Sequence, residues 1–211
     1  MKIAIIGATG KAGKVIMQEA LSRGHEVAAF VRSVSKVQES DVHAVEKNIF
    51  DLTADDLKPY DVVVNAFNAA PGLEHQHVEA GKVLIQALQA NTHTKLVVVG
   101  GAGSLFVDQD KTTRLFDTEN FPALYLSTAK NMGENLNELL STTNIVWTYI
   151  SPSAFFDSEG IRTGEYTAGK DHLLVNSQGQ SYISYADYAI ALLDEIENPK
   201  HVNQRFTVGS K

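Results

Sequence analysis

A short apolar run, three spaced glycines and a helical pattern follow one another at the start of the chain, and this succession constrains the fold more than any other feature. Residues 2–6 read Lys-Ile-Ala-Ile-Ile, which is typical of a strand buried in a parallel sheet. Gly7, Gly10 and Gly13 come next, and apolar residues at helical spacing begin at Val15. The pattern predicts a strand, a tight glycine turn and a helix, in that order.

Such a turn can cradle phosphate groups. The first glycine permits a tight turn, the second lets the backbone approach a pyrophosphate, and the third lets helix and strand pack closely. The helix start adds free N–H groups and the positive end of a dipole. The spacing here is G-x-x-G-x-x-G, whereas the usual fingerprint is G-x-G-x-x-G. A turn that serves only packing is the alternative. We predict that a dinucleotide is bound by Gly7, Thr9, Gly10, Lys11, Ala12 and Gly13.

The rest of the chain alternates between apolar runs and helical patterns. Continuous Val and Ile runs indicate strands buried on both faces, and their alternation with helices predicts a doubly wound parallel α/β sheet of the Rossmann type. The predicted strands are 3–6, 27–31, 42–47, 61–65, 95–99, 145–150 and 206–208, and the main predicted helices are 11–23, 73–90, 127–140 and 185–197. We expect residues 1–211 to form a single domain in which 152–184 make a small cap over the substrate side.

Composition excludes several classes of function. The net charge of −7, without a long basic run, argues against nucleic acid as a partner. No cysteine is present, so thiol catalysis and disulfides are excluded. No run of about 18 apolar residues appears, which argues against a membrane span. His75 and His77 are two positions apart and cannot share a helical face, so we expect no metal site. We expect a cytoplasmic monomer or homodimer.

Arg32 follows the second strand, nineteen positions after Gly13. NAD-binding proteins of this type keep an acidic residue near this place for the ribose 2′-hydroxyl. A guanidinium there would instead pair with a 2′-phosphate, so we expect NADP as the cofactor, with NAD possible. Ser33 could add a hydrogen bond and Lys36 a further charge. A solvated strand-end arginine is the alternative.

Other strand ends supply the remaining cofactor candidates. Asp51 could meet the adenine amino group or, equally well, cap the helix that follows it. The glycines after the fifth strand permit close approach of a flat ligand. The remaining residues predicted to bind the cofactor are Ala66, Phe67, Asn68, Gly100 and Gly101.

The candidates on the acceptor side are less regular. Ser104 could donate a hydrogen bond to a substrate oxygen, and Lys130 could touch the nicotinamide ribose. These two are the predicted catalytic residues. Tyr125 lies five positions before Lys130, so the two side chains diverge by about 140° on a helix. The predicted substrate contacts are Ser104, Ser153, Phe155 and Phe156, although such a pair of phenylalanines belongs to the core more often than to a stacking surface.

Seven segments carry a resemblance to a known family. They are 7–13, 30–33, Asp51, 98–104, 149–156, 162–166 and 206–209. With these segments the chain resembles the atypical short-chain dehydrogenase/reductase family. Within it, the chain is most similar to the NAD(P)H-binding group of NADH-flavin reductases, which is itself similar to biliverdin/flavin reductase. The likeness covers nearly the whole chain and implies a Rossmann fold and a nicotinamide cofactor.

One family motif is missing. The widespread Tyr-x-x-x-Lys pair is absent, since Ser127 and Leu126 stand three and four residues before Lys130. Reduction of a flavin or quinone does not need that pair, because the ring accepts hydride directly and water supplies the proton. We therefore predict an NADPH-dependent reductase of a flavin, quinone or other planar small molecule. The alternatives are an NADP-binding redox sensor without turnover and, ranked last, a sugar-nucleotide epimerase or dehydratase.

Overall fold

The structure is a computed structural model that describes residues 1–211. Its ten strands are β1 (Lys2–Ile6), β2 (Glu26–Val31), β3 (His43–Glu46), β4 (Val62–Asn65), β5 (Lys95–Val99), β6 (Val146–Ser151), β7 (Phe155–Asp157), β8 (Thr167–Gly169), β9 (Tyr182–Ser184) and β10 (Gln204–Gly209). Its helices are α1 (Lys11–Ser22), α2 (Ala54–Leu57), α3 (Gln76–Gln89), α4 (Ala123–Ser141) and α5 (Tyr185–Glu197). Short 3₁₀ turns lie at Val34–Lys36, Ile49–Asp51 and Leu115–Asp117.

Eight strands form one sheet in the order β3-β2-β1-β4-β5-β6-β10-β8. All neighbours are parallel except β10 and β8. The strand order reverses at β1, where Ile3 pairs with Val27 on one side and with Val62 on the other. Open parallel sheets bind ligands beyond the carboxyl ends of the strands at such a reversal. The predicted doubly wound sheet is confirmed.

The alternating side chains of β1 supply both faces of the sheet. Ile3 and Ile5 belong to the core under α1 and α5, whereas Ala4 and Ile6 belong to the core under α3 and α4. All four are buried, with at most 2% of each side chain exposed. A strand covered on both faces needs a continuous apolar sequence, which explains the pattern of residues 3–6.

Helix α4 begins at Ala123, four residues before the predicted start at 127. Pro122 occupies the N-cap with φ −63°, the value to which the proline ring is restricted. The missing N–H of proline costs nothing at a helix start, so the helix extends back to it. This earlier start places Tyr125 on the helix.

Residues 152–184 are divided among several parts of the molecule. β7 pairs in parallel with β9 in a separate two-stranded sheet, while β8 joins the main sheet beside β10. Between them, the N–H groups of Thr163 and Gly164 each donate to the Asp187 carboxylate on α5 at 2.9 Å. No helix of the protein is both long enough and apolar enough to cross a lipid bilayer.

Candidate active site

The turn between β1 and α1 brings backbone atoms closer than side chains would allow. Gly7 has φ +76°, and a Cβ atom there would lie 2.7 Å from the carbonyl oxygen of Ala66. A Cβ atom on Gly13 would lie 2.3 Å from the carbonyl oxygen of Gly7. Gly10 is less restricted, with 3.1 Å to the same oxygen. Glycine is therefore required at the first and third positions by packing.

The first turn of α1 leaves three N–H groups without an acceptor. Gly10 occupies the N-cap and offers no side-chain oxygen. The first hydrogen bond of the helix runs from Lys14 N–H to Gly10 carbonyl at 2.9 Å. No protein atom accepts from the N–H groups of Lys11, Ala12 and Gly13. Unpaired N–H groups and the positive helix end together suit a diphosphate.

A cavity of about 270 Å³ opens beside this turn at the carboxyl ends of β1, β2 and β4. We call it the β1–β4 cavity. Its lining residues are Ile6, Gly7, Thr9, Gly10, Phe30, Val31, Arg32, Lys36, Lys47, Asn48, Ile49, Ala66, Phe67 and Asn68. Three cations and no acidic residue are among them. Lys47 forms an ion pair with Asp56 at 2.5 Å, whereas Arg32 and Lys36 form no ion pair. This cavity therefore presents two uncompensated positive charges.

Seven residues predicted to bind the cofactor line this cavity: Gly7, Thr9, Gly10, Arg32, Ala66, Phe67 and Asn68. Lys11, Ala12 and Gly13 adjoin it through the free N–H groups of α1. The hydroxyl of Ser33 lies 2.9 Å from that of Ser35, outside the lining. The sequence interpretation missed Lys47, Asn48 and Ile49. Their position directly after β3 is the signal that could have identified them.

Asp51 does not reach the β1–β4 cavity. The side chain of Asn48 accepts a hydrogen bond from Phe50 N–H at 3.3 Å and starts a 3₁₀ turn. This turn buries Ile49 and leaves Asp51 exposed at its end. Asp51 does not cap α2 either, because Thr53 does so in a capping box with Asp56. The capping role expected of Asp51 is therefore wrong, and its contact with adenine stays a prediction.

A buried histidine supports one wall of this cavity. The ring of His77 packs edge-to-face on Phe67 with 5.8 Å between centroids. Its Nε2 lies 3.4 Å from the N–H of Ala69, which assigns an acceptor role to that nitrogen. Burial lowers the pKa of His77, so the ring is neutral at pH 7. No group of three or more His, Asp or Glu side chains is arranged to hold a metal ion.

A second cavity, of about 520 Å³, lies beyond the carboxyl ends of β5 and β6 against α4. We call it the β5–α4 cavity. Its lining residues are Gly101, Ala102, Gly103, Leu115, Thr118, Asn120, Phe121, Pro122, Tyr125, Thr128, Ala129, Met132, Ala154 and Phe155. The four from α4 recur at helical spacing and form one face of that helix. None of the lining residues carries a charge.

Two predicted serines point away from the β5–α4 cavity. Ser104 is 4% exposed, and its Oγ accepts a hydrogen bond from the guanidinium of Arg205 at 3.3 Å. Ser153 is 1% exposed and donates to the carbonyl of Val208 at 3.1 Å. Both hydroxyls are used inside the protein, so the structure gives neither serine a contact with a substrate in this cavity.

The two phenylalanines of β7 point in opposite directions, as successive residues of a strand do. Phe155 lines the β5–α4 cavity and is 61% exposed. Phe156 packs instead against Tyr185 and Tyr188, with centroids 3.9 and 4.7 Å away. Phe156 is therefore partly buried against the core and does not line the cavity, whereas Phe155 is exposed to a ligand there.

Lys130 does not line either cavity described above. It is exposed on α4, one position and therefore about 100° beyond Ala129, which does line the β5–α4 cavity. Tyr125 lies on the cavity face, so the helix separates these two side chains as their spacing predicts. The expected contact of Lys130 with a bound coenzyme is not supported by this orientation.

Packing against a buried tyrosine explains the first glycine after β5. A Cβ atom on Gly100 would lie 2.1 Å from the ring of Tyr149. The Tyr149 hydroxyl accepts from Gly101 N–H at 3.3 Å and donates to the Met132 carbonyl at 3.1 Å. Burial raises the pKa of Tyr149 to about 12, so it stays neutral. Gly100 thus serves packing, whereas Gly101 lines the β5–α4 cavity.

Comparison with known proteins agrees with this geometry. YwnB of Bacillus subtilis, an uncharacterized protein, is 64% identical over 100% of this chain and 99% of its own length. A crystal structure from Streptococcus pneumoniae, named a "putative NADH-flavin reductase", is 43% identical with complete coverage of both chains and a TM-score of 0.94. Another, from Bacteroides thetaiotaomicron and named a "putative epimerase", is 36% identical, covers 99% of this chain and 96% of its own, and has a TM-score of 0.89.

A family model described as NAD(P)H-binding matches residues 7–199, which include every residue that lines the β5–α4 cavity. Only Ile6, at the end of β1, lies outside the matched range among the residues that line the β1–β4 cavity. The resemblance seen in the glycine turn and strand ends is confirmed. This chain belongs to the NAD(P)H-binding family.

Proposed function

We propose that this protein is an NADPH-dependent reductase that passes hydride to a planar organic acceptor such as a flavin or a quinone. One observation carries the proposal: a cationic cavity beside three free N–H groups and an uncharged cavity both lie at the carboxyl edge of one parallel sheet. The first suits a phosphate-bearing coenzyme, and the second suits a flat apolar molecule. The name of the Streptococcus pneumoniae relative supports the same reaction class.

The residues of the β1–β4 cavity fit the coenzyme. The N–H groups of Lys11, Ala12 and Gly13 would hold its diphosphate, because they have no acceptor within the protein. Arg32 and Lys36, which form no ion pair, would hold a 2′-phosphate. This charge pattern is our reason for proposing NADPH rather than NADH. When bound, the coenzyme supplies the hydride.

The residues of the β5–α4 cavity position an acceptor and supply no acid–base pair. Tyr125 and Phe155 offer aromatic surfaces to a flat ring, and no lysine lines the cavity beside Tyr125. Alcohol oxidation needs a base to remove the hydroxyl proton, whereas a flavin or quinone takes its proton from water after hydride arrives. Catalysis in this site therefore rests on holding two rings in reactive contact.

The same reasoning ranks the other functions. The name of the Bacteroides thetaiotaomicron relative suggests an epimerase. The resemblance to short-chain dehydrogenases implies that epimerisation would use the tyrosine–lysine pair, which α4 lacks. A redox sensor that binds NADP without turnover shares the coenzyme cavity with the proposed reductase. Turnover distinguishes these functions.

The test is NADPH oxidation, followed at 340 nm, with riboflavin, FMN and menadione as acceptors. We expect acceptor-dependent loss of absorbance that is abolished in Gly13→Val, because that side chain would collide with the Gly7 carbonyl. Circular dichroism of the variant checks its folding, and calorimetry measures NADPH binding. Tight NADPH binding without oxidation by any acceptor would reject the reductase in favour of the sensor.

A further inference from the structure

The chemistry of the β5–α4 cavity narrows the class of acceptor. We infer that it takes an uncharged planar acceptor, a quinone or a flavin ring without phosphate, and discriminates against acceptors that carry phosphate, sulfonate or carboxylate. This inference rests on the proposed function but concerns a different property of the molecule, namely the charge that the acceptor cavity tolerates.

The lining offers aromatic surface and no charge. Tyr125 and Phe155 are 59% and 61% exposed although both are large and mainly apolar. Together with Leu115, Phe121 and Met132 they make most of the cavity surface apolar. Exposed aromatic side chains that are grouped in a concave site are typical of sites that bind planar ligands, because the ligand ring stacks on the side chains.

The polar groups of the cavity are neutral. Asn120 and Thr128 can donate hydrogen bonds to the carbonyl oxygens of a quinone or an isoalloxazine ring, whereas the Thr118 hydroxyl already donates to the Leu115 carbonyl at 2.7 Å. None of them can neutralise an anion. The N–H of Gly101 is already used by the Tyr149 hydroxyl. A phosphate brought into this cavity would lose hydration without gaining a charged partner, which is costly.

Charged residues of both signs stand next to the cavity lining in the sequence. Asp117 and Glu119 are exposed on either side of Thr118. The guanidinium of Arg114 lies over the rings of Phe106 and Phe116, 5.8 and 5.7 Å from their centroids. Arg114 directly precedes the lining residue Leu115, and Lys130 directly follows the lining residue Ala129, so two cations accompany the two carboxylates. These charges balance, so the discrimination against an anion rests on the uncharged lining itself.

The contrast between the two cavities makes the assignment specific. The β1–β4 cavity contains three cations and no acid, as a phosphate-bearing molecule requires. The β5–α4 cavity contains no charged residue at all. Phosphate recognition is therefore confined to the coenzyme side, and the acceptor is recognised through its ring.

Riboflavin and FMN form a matched pair for the test, because they share one ring system and differ by a phosphate. With the full chain and saturating NADPH, we expect kcat/KM for riboflavin to exceed that for FMN by about tenfold, equivalent to about 1.4 kcal/mol. Equal values, or a preference for FMN, would overturn the inference while leaving the reductase function intact.

A charge introduced at the rim provides the matched variant. Thr118→Lys places a cation in the lining, so the ratio of kcat/KM for FMN to kcat/KM for riboflavin should rise about tenfold. Thr143→Lys makes the same change at an exposed position outside the cavity and should alter neither value. An equal response of both variants would show a general effect of charge and contradict the inference.

Direct binding separates this inference from the proposed function. Quenching of flavin fluorescence by the protein, measured with NADP⁺ present, reports affinity without turnover. Tighter binding of riboflavin than of FMN supports the acceptor chemistry even where no NADPH is oxidised, in which case only the reductase function fails. Tighter binding of FMN, or absence of binding by either flavin, overturns the inference.

Discussion

The carbonyl oxygen of Gly7 lies 2.3 Å from the place that a Cβ atom on Gly13 would occupy. This approach closes the β1–α1 turn and aims the free N–H groups of α1 at the β1–β4 cavity. Gly13→Ala should therefore destabilise the fold by about 1–3 kcal/mol, because the backbone must shift to admit the methyl group.

For a domain of this size such a loss lowers Tm by about 2–4 °C per kcal/mol, which scanning calorimetry measures. Affinity for NADPH should fall as well. Gly10→Ala is the matched control, because its Cβ atom would lie 3.1 Å from the same oxygen and its φ is −73°. A Tm loss in Gly10→Ala as large as in Gly13→Ala would contradict the packing argument.

Coenzyme preference should depend on Arg32. Arg32→Asp replaces a free cation with a carboxylate, so NADPH affinity should fall by about 10–100-fold, as expected for loss of a charge-assisted hydrogen bond. NADH affinity should change by less than about threefold. Calorimetric titration with both coenzymes measures the effect, and Lys58→Asp, an exposed site outside the cavity, controls for net charge. A similar fall in affinity for both coenzymes would contradict the proposed contact between Arg32 and the 2′-phosphate.

Lys130 and Tyr125 should differ in their effect on turnover. Tyr125 lines the β5–α4 cavity and Lys130 does not. Tyr125→Ala should lower kcat/KM for riboflavin by about tenfold, since the ring loses a stacking surface. Lys130→Ala should leave it within about twofold. Steady-state kinetics with NADPH measure both effects. A large loss of kcat/KM in Lys130→Ala would show that this lysine takes part in the reaction.

Alkaline pH should destabilise the protein through Tyr149. Burial raises the pKa of this hydroxyl from 10.0 to about 12, so the unfolded chain loses the proton first as pH rises. Its contribution to stability is therefore complete below about pH 10 and is lost between that pH and about pH 12. Urea unfolding at several pH values measures this loss.

Tyr149→Phe should be less stable at pH 8 by about 1–3 kcal/mol, because the Gly101 N–H and the Met132 carbonyl lose their partner. It should also lose part of the alkaline dependence. Tyr125→Phe, whose hydroxyl has no hydrogen-bond partner in the protein, should change neither property. An unchanged alkaline profile in Tyr149→Phe would contradict the assignment.

Acid should destabilise the contact between Asp171 and Arg205. Burial opposes ionisation of Asp171, but hydrogen bonds from Lys111 and Arg205 outweigh it and lower the pKa below the usual 3.8. The stabilisation is therefore present above that value and is lost as pH falls through the lower pKa of the folded state. Acid unfolding followed by circular dichroism measures it.

Asp171→Asn should lower the free energy of unfolding by about 1–3 kcal/mol, because Arg205 stays buried without its partner. This value already allows for the partial exposure of the carboxylate. The variant should also unfold with a flatter acid dependence. Asp110→Asn changes an exposed aspartate whose carboxylate accepts no hydrogen bond, so this variant should behave as the parent protein. Equal stabilities of the two variants would rule out a structural role for the pair.

The parts of the fold that depend on local patterns could be predicted from the sequence. β5 and α5 were expected at 95–99 and 185–197, the bounds that the structure gives them. Apolar runs and helical spacing depend on residues that are close in the sequence, so they can be recognised from the sequence alone. The sequence pattern did not indicate the start of α4, because proline normally interrupts a helix, whereas Pro122 is the N-cap of this one.

The direction of individual side chains could not be predicted in the same way. Ser104 faces inward because Arg205, 101 positions later, occupies the interior beside it. Ser153 is bound by Val208, 55 positions away. The choice between Phe155 and Phe156 depends on the tyrosines of α5. Each outcome is fixed by a partner that no local pattern identifies, and so the lining of the β5–α4 cavity was only partly foreseen.

The three unpaired amides of α1 separate two tasks that a binding site often combines. They belong to the main chain, so ordinary replacements at Lys11 or Ala12 leave them in place. The proposed choice between coenzymes rests instead on side chains, chiefly the exposed Arg32 with Lys36 beside it. A single substitution at Arg32 would therefore change the preference between NADPH and NADH, while the backbone groups proposed to bind the diphosphate would stay in place.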